Sequence, residues 1–147
     1  MTPRRVAPED AVELLGLYRA LVGDAPVGEE DAVLAVLAHP GSEIWCLEDN
    51  GALVSMVTLH VLPNVTQGAR PYALIENVVT LEAHQGKGFG RAVMIAAMNA
   101  AWAQDAYKIM LLTGKTAQAR GFYEKLGFGA DEKWGMSIRR APTRAIY

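Results

Sequence analysis

The sequence predicts a mixed α/β (α+β) fold, one central sheet with helices on both faces. Three observations predict it. The second half of the chain runs strand–helix–strand–helix–strand, a pattern that fits a mixed sheet covered by helices. The run from Tyr72 to Leu81 is nearly continuous in apolar character, as in a strand with both faces covered. Asp49-Asn50-Gly51 separates two strand-like runs, and Asn-Gly readily takes the positive φ of a type I′ hairpin turn. A chain of 147 residues is the size of one ordinary domain. It can bury roughly 70% of its unfolded surface, so one domain over residues 1–147 is expected.

The elements follow in order. Thr2 to Ala7 is a short first strand. Pro8-Glu9-Asp10 suits a helix start, and Leu14, Leu17, Tyr18 and Leu21 then recur at helical spacing. Gly23-Asp24-Ala25-Pro26 breaks that helix. A second begins near Glu29, carries Val33, Leu34, Val36 and Leu37, and stops at His39-Pro40-Gly41. Ser42 to Glu48 and Ala52 to Val61 form the hairpin. Pro63 to Arg70 is a polar loop. From Gly90 a helix presents Phe89, Val93, Ala96, Ala97, Ala100 and Ala101 as one stripe of mostly small residues, which lets it lie close to a sheet. Lys108 to Thr113 is the next strand. Ala117 to Leu126 is a helix ended by Gly127, suited to the left-handed position after a helix. Glu132 to Arg139 is expected as a last strand.

Apolar residues make up 51% of the chain and charged residues 20%, as in a soluble globular protein. A net charge of −2 makes nucleic acid a poor partner. The single cysteine, Cys46, excludes an internal disulfide and reads as a buried small hydrophobe, which suits a cytoplasmic protein. Arg4 and Arg5 are not followed by the apolar core of a signal peptide. No apolar run nears the roughly 20 residues needed to span a bilayer, so no membrane is expected.

The most telling stretch is Gln85-Gly86-Lys87-Gly88-Phe89-Gly90-Arg91, between the apolar strand and the long helix. A glycine-rich turn opening a helix holds phosphate: its N–H groups converge and the helix dipole favours negative charge. It is neither a P-loop, lacking Gly-Lys-Ser/Thr, nor a Rossmann turn, lacking a glycine three past Gly88. Gly88 and Gly90 permit close backbone approach, and Lys87 and Arg91 add positive charge. Glycines placed for tight strand-to-helix packing are the plainer alternative.

Two separated signatures then coincide. Ile75-Glu76-Asn77-Val78-Val79-Thr80 precedes Gln85-x-x-Gly88-x-Gly90, and Ala119-x-x-Phe122-Tyr123-Glu124-Lys125-Leu126-Gly127-Phe128 follows downstream. Together they resemble the GNAT superfamily of acetyl-coenzyme A-dependent N-acetyltransferases, over about Tyr72 to Phe128. The resemblance implies a mostly antiparallel central sheet of six to seven strands. It implies acetyl-CoA as cosubstrate and no metal. Its pyrophosphate would lie on the loop, Gln85, Gly86, Lys87, Gly88, Phe89, Gly90 and Arg91. The backbone of Val78, Val79 and Thr80 would pair with the pantetheine arm as a strand pairs with a strand, and an N–H near Val79 would meet the thioester oxygen.

The same resemblance sets Tyr123 beside the coenzyme sulfur. A phenol titrates near pKa 10, above the roughly 8.5 of a thiol, so Tyr123 is protonated at neutral pH and can act as general acid. Packing at a sheet edge is the alternative. Glu76 is the candidate base; the alternative is a structural carboxylate that orients a loop or pairs with an arginine. By simple alternation Glu76 shares a strand face with Leu74, Val78 and Thr80. Phe122 and Phe128 read as core. His84, His60 and His39 read as loop, surface or turn residues. Thr116 stands where many relatives have an asparagine that contacts the coenzyme arm.

Ile75 to Val79, Tyr107-Lys108-Ile109 and the Arg139-Arg140 pair also look like the glucosamine-6-phosphate N-acetyltransferase branch. Leu111-Leu112-Thr113-Gly114 lacks that branch's acidic residue. The acceptor, a small-molecule amine or a protein or peptide amine, is shaped in this fold by Tyr18, the loop from Gly23 to Gly28, and Pro63 to Tyr72. A non-catalytic acyl-CoA-binding module is the competing class. Trp134 to Ile138 offers an edge for a homodimer.

Overall fold

The computed structural model describes residues 1–141. The chain divides into two compact units at Leu111/Leu112, and each is described by itself.

The first unit is a sheet with helices on both faces. Its strands are β1 (Arg4–Arg5), β2 (Ser42–Asp49), β3 (Ala52–Leu62), β4 (Tyr72–Thr80) and β5 (Ile109–Met110). They lie in sequence order, antiparallel except for the parallel pair β4–β5. The β2–β3 hairpin closes through Asn50 and Gly51, both at positive φ (51° and 79°), as the Asn-Gly pair requires.

Helices α1 (Ala11–Val22) and α2 (Glu30–Ala38) cover one face. Leu14, Leu15 and Leu17 of α1 and Val33 of α2 bury against Ile44, Cys46 and Met56. The Cys46 thiol is fully buried, and burial pushes its pKa up to about 11, so it is an inert core group. Two polar contacts pin α1 in place. Asp10 receives Arg4 and the Ala7 N–H, and Glu13 Oε1 accepts the Leu53 N–H at 2.8 Å.

The loop after β3 holds a four-residue turn, α3 (Thr66–Ala69), with Gln67 and Gly68 left-handed. The other sheet face is covered by α4 (Phe89–Ala103). Phe89, Val93, Ala97 and Ala101 of the expected stripe are buried, joined by Met94, while Ala96 and Ala100 are half-buried at its margin.

In the second unit, α5 (Ala117–Glu124) forms where expected, and Gly127 takes φ +97°. Two expectations are corrected. The sheet has five strands among the described residues, not six or seven. Glu132 to Arg139 is not a strand: its apolar alternation finds no ladder partner among the described residues, leaving Trp134, Met136 and Ile138 89–100% exposed. A strand exists only through its pairing. For the same reason the strand expected at Lys108 to Thr113 shortens to Ile109–Met110.

Candidate active site

The site is built around a fault in β4. Met56 pairs with Val79 and Thr58 with Glu76, so Asn77 and Val78 together face Val57. Two residues against one is a β-bulge. Asn77 takes φ +53°, a left-handed conformation that asparagine tolerates far better than a β-branched residue. The bulge breaks the pleat and shifts everything after it to the other face.

That corrects the expected placement of Glu76. Its face-mates are Leu74 and Val79, on the side covered by α1; Thr80 points to the side of α4. The register shows this directly. Val79 packs on the α1 core, whereas Thr80 Oγ1 lies 2.8 Å from Ser55 Oγ. Ser55 also donates to the Val79 carbonyl at 3.2 Å. Glu76 is exposed and has no hydrogen bond or ion pair among the described residues. A carboxylate in an apolar strand must be paired or wet; this one is wet.

The pairing of β4 with β5 covers Ala73 and Leu74 alone. From Ile75 to Thr80 the β5 side of the strand has no ladder partner among the described residues. Val78 and Val79 therefore carry backbone groups on an open strand edge, at the bulge.

The glycine turn follows. Gln85 Nε2 donates to the Thr80 carbonyl at 3.1 Å, tying the turn to the end of β4. Gly86 and Gly88 have φ +73° and +88°, and a Cβ on either would meet nothing within 4 Å. Their glycines are required by conformation, and the space around them is open. Gly88 is the N-cap of α4, with no side-chain cap and no acidic residue in the first turn. The N–H groups of Phe89, Gly90 and Arg91 thus lack intrahelical acceptors, while Lys87 and Arg91 stand exposed beside them. A phosphate fits this donor set by charge and by hydrogen-bonding capacity. Phe89 contributes only backbone, since its ring is buried edge-on to His84 at 5.6 Å. His84 Nε2 lies 3.2 Å from Asp49, which anchors the start of the turn to the β2–β3 hairpin.

In the second unit, Thr116 caps α5: its Oγ1 accepts the Ala119 N–H at 3.1 Å. Tyr123 is half-buried between two aromatic neighbours, Phe122 at 5.0 Å and Phe128 at 6.1 Å, both edge-on. Phe122 and Phe128 are half-buried too, so neither is deep core. Arg139 and Arg140 are exposed.

One residue was missed by sequence reasoning and one underread. Thr58, directly opposite Glu76, is 1% exposed, and its Oγ1 has no hydrogen-bond partner. Tyr18 on α1 is half-buried over the same face; burial raises its phenol pKa and the neighbouring Thr58 hydroxyl pulls it back down. Tyr18 carried only a general acceptor-side expectation, and a threonine in an apolar strand carries no signal at all. Asn77 did carry one: an asparagine inside a strand run is a bulge residue in waiting.

An open strand edge at a bulge thus leads into a glycine turn and a helix start without a side-chain cap. The chain belongs to the acetyltransferase (GNAT) family, whose model matches residues 13–128. The family and the enzyme class expected from the two motifs are therefore borne out. Among solved structures, a candidate acetyltransferase from Agrobacterium tumefaciens str. C58 is 42% identical with a TM-score of 0.89, over 95% of this chain and all of that one. An acetyltransferase from Trypanosoma brucei is 26% identical with a TM-score of 0.76, over 93% of this chain and 98% of that one. A glucosamine 6-phosphate N-acetyltransferase from Trypanosoma brucei brucei is 30% identical over 92 residues, 63% of this chain. The match spans 61% of that relative's own length.

Proposed function

We propose that this protein is an N-acetyltransferase that moves the acetyl group of acetyl-CoA directly to an amine. The observation that carries this reading is the bulged, open edge of β4 running into the uncapped start of α4. One side of the strand offers backbone donors to an acyl carrier, and the helix start offers N–H groups to its pyrophosphate.

Val78, Val79 and Thr80 hold the carrier's arm by their backbone, and a bulge N–H faces the developing oxyanion. Gln85, Gly86, Lys87, Gly88, Phe89, Gly90 and Arg91 hold the phosphates. Thr116 adds a polar contact with whatever capacity its capping role leaves free. The amine must lose one proton as the C–N bond forms and the C–S bond breaks. Glu76 takes that proton, directly or through water, and the Tyr123 hydroxyl supplies the one the leaving sulfur needs. No metal enters this scheme. The lone buried thiol suits a cytoplasmic protein, and size-exclusion chromatography with light scattering tests the expected homodimer.

The amino-sugar reading is narrower. The 30% identical glucosamine 6-phosphate N-acetyltransferase supports it, and the absence of an acidic residue from Leu111 to Gly114 weakens it.

Acetyl-CoA consumption measured across a panel of amines, glucosamine 6-phosphate included, tests the proposal. Turnover with at least one acceptor is expected, and Tyr123→Phe should lower kcat more than it weakens coenzyme A binding. Tight coenzyme binding with no turnover on any acceptor would make the protein an acyl-CoA sensor instead.

A further inference from the structure

We infer that Ser55 is a positioning residue for the acyl donor: its hydroxyl turns the Val79–Thr80 peptide so that the Thr80 N–H faces the open edge of β4. The inference deepens the acetyltransferase reading and rests on it for the identity of the ligand.

Ser55 lies in β3 and is fully buried. A buried hydroxyl costs free energy unless it is bonded, and alanine would pack in the same place without that cost. The strand ladder has no need of the hydroxyl, since ladder bonds run between backbone groups. Both of its contacts lie across the sheet on β4: the Val79 carbonyl at 3.2 Å and the Thr80 hydroxyl at 2.8 Å. A serine hydroxyl holds one proton, and a carbonyl can only accept. The Ser55 proton therefore goes to Val79, and the Thr80 hydroxyl donates to Ser55.

These bonds fall where β4 is held least. After the bulge only Val79 and Thr80 still pair with β3, opposite Met56 and Ser55, and the Leu81 N–H reaches the Val54 carbonyl at 2.9 Å. The β5 side has no ladder partner here among the described residues. Segments with so few bonds open first. Ser55 draws the Val79 carbonyl toward β3. The Val79–Thr80 peptide is trans, so its N–H, on Thr80, points the opposite way, across the open edge. The next peptide keeps the alternation. Its N–H, on Leu81, faces β3, and the Thr80 carbonyl faces away, where Gln85 Nε2 meets it at 3.1 Å. At the edge Thr80 thus presents an acceptor already taken by Gln85 and a donor that faces outward. A donor so placed suits an amide carbonyl of an acyl carrier's arm.

Gln85, Thr80, Ser55 and Val79 therefore form one run of contacts from the glycine turn to the strand edge. Ser55 itself is covered and touches no ligand; it acts through the peptide it turns. Its reach ends at the arm. The phosphate end is set by the left-handed Gly86 and Gly88 and by the start of α4, none of which Ser55 contacts. Loss of the hydroxyl should thus be felt by a ligand that lies along β4 and not by one that stops at the turn.

The probes are acetyl-CoA, which carries a diphosphate and an arm, and ADP, which carries a diphosphate and no arm. Each is titrated by amide chemical shift into the full-length protein. Ser55→Ala should weaken acetyl-CoA binding roughly three- to tenfold, as for loss of one neutral hydrogen bond, and leave ADP within about twofold. Thr80→Val should do the same, and Thr80→Ser, which restores the hydroxyl, should recover most of the loss. The double variant Ser55→Ala/Thr80→Val should bind no more weakly than the worse single one, because the two hydroxyls act as one chain. In the ligand-free protein, Ser55→Ala should speed hydrogen exchange at the Leu81 amide. The Ala73 amide, bonded to the Lys108 carbonyl at 2.9 Å, should exchange as before. Equal loss of both ligands, or no loss of acetyl-CoA, overturns the inference. A wild type that binds neither ligand, with the Leu81 amide still loosened in Ser55→Ala, would overturn the acetyltransferase reading and leave the hold of Ser55 on β4 standing. Binding of neither ligand without that loosening overturns both.

Discussion

The two faces of the central sheet make opposite use of polar atoms. Under α4 the face is dry, and its polar groups are bonded: Ser55 reaches Val79 and Thr80, amid Val57, Leu59, Ala73 and Ile75, each at most 2% exposed. Under α1 the same three strands hold a buried hydroxyl without a partner and an exposed carboxylate without a partner, two residues directly opposite one another. Neighbours along β3 thus belong to different regimes. Leu59 serves packing; Thr58 serves something else. Unsatisfied polar groups in a well-formed sheet mark where stability has been given up, and such places are where function concentrates.

Four measurements break or sharpen that contrast. Leu59→Ala, on the α4 side, should cost about 2–5 kcal/mol of unfolding free energy by leaving a cavity, read from urea unfolding with unchanged m-value. Asn77→Val forces a β-branched residue into φ +53° and should cost about 1–3 kcal/mol. Asn77→Gly should stay within about 1 kcal/mol of wild type. If both variants behave alike, the bulge is not set by that residue. Thr58→Val, one residue from Leu59, should change sign and stabilise by about 1 kcal/mol. A destabilised Thr58→Val would mean the hydroxyl is satisfied in solution and the two faces are alike.

The smallest effect is electrostatic, at the start of α1. The Arg4 guanidinium and the Ala7 N–H hold the Asp10 carboxyl below its ordinary range. A lowered folded-state pKa gives stability that is fully present above the unfolded value, near 3.9, and is lost as pH falls through the folded one. Wild type should lose urea resistance faster than Asp10→Asn below about pH 4. Parallel curves would show that the pair contributes nothing measurable.

Much of the fold was legible where it is local. The Asn50-Gly51 turn, the small-residue stripe of α4 and the glycines at positive φ follow from short-range rules that each residue carries with it. The face of Glu76 was misread because alternation counts residues and cannot see a bulge. One inserted position reversed the side on which Thr80 points. The last strand was misread for a related reason. Trp134, Met136 and Ile138 have the right period, but a ladder needs a second strand, and periodicity in one segment says nothing about its partner.

The sequence by itself determined the fold class, the family and the glycine turn, since these rest on hydrophobic period, turn chemistry and motif spacing within contiguous stretches. Only the tertiary structure decided what meets what across the α1 face of the sheet. Tyr18, Thr58 and Glu76 are separated by 40 and 18 positions and share no pattern. Strand register sets Thr58 against Glu76, and α1, which carries Tyr18, packs across both strands. Register and packing are properties of the whole sheet, and no single segment holds them.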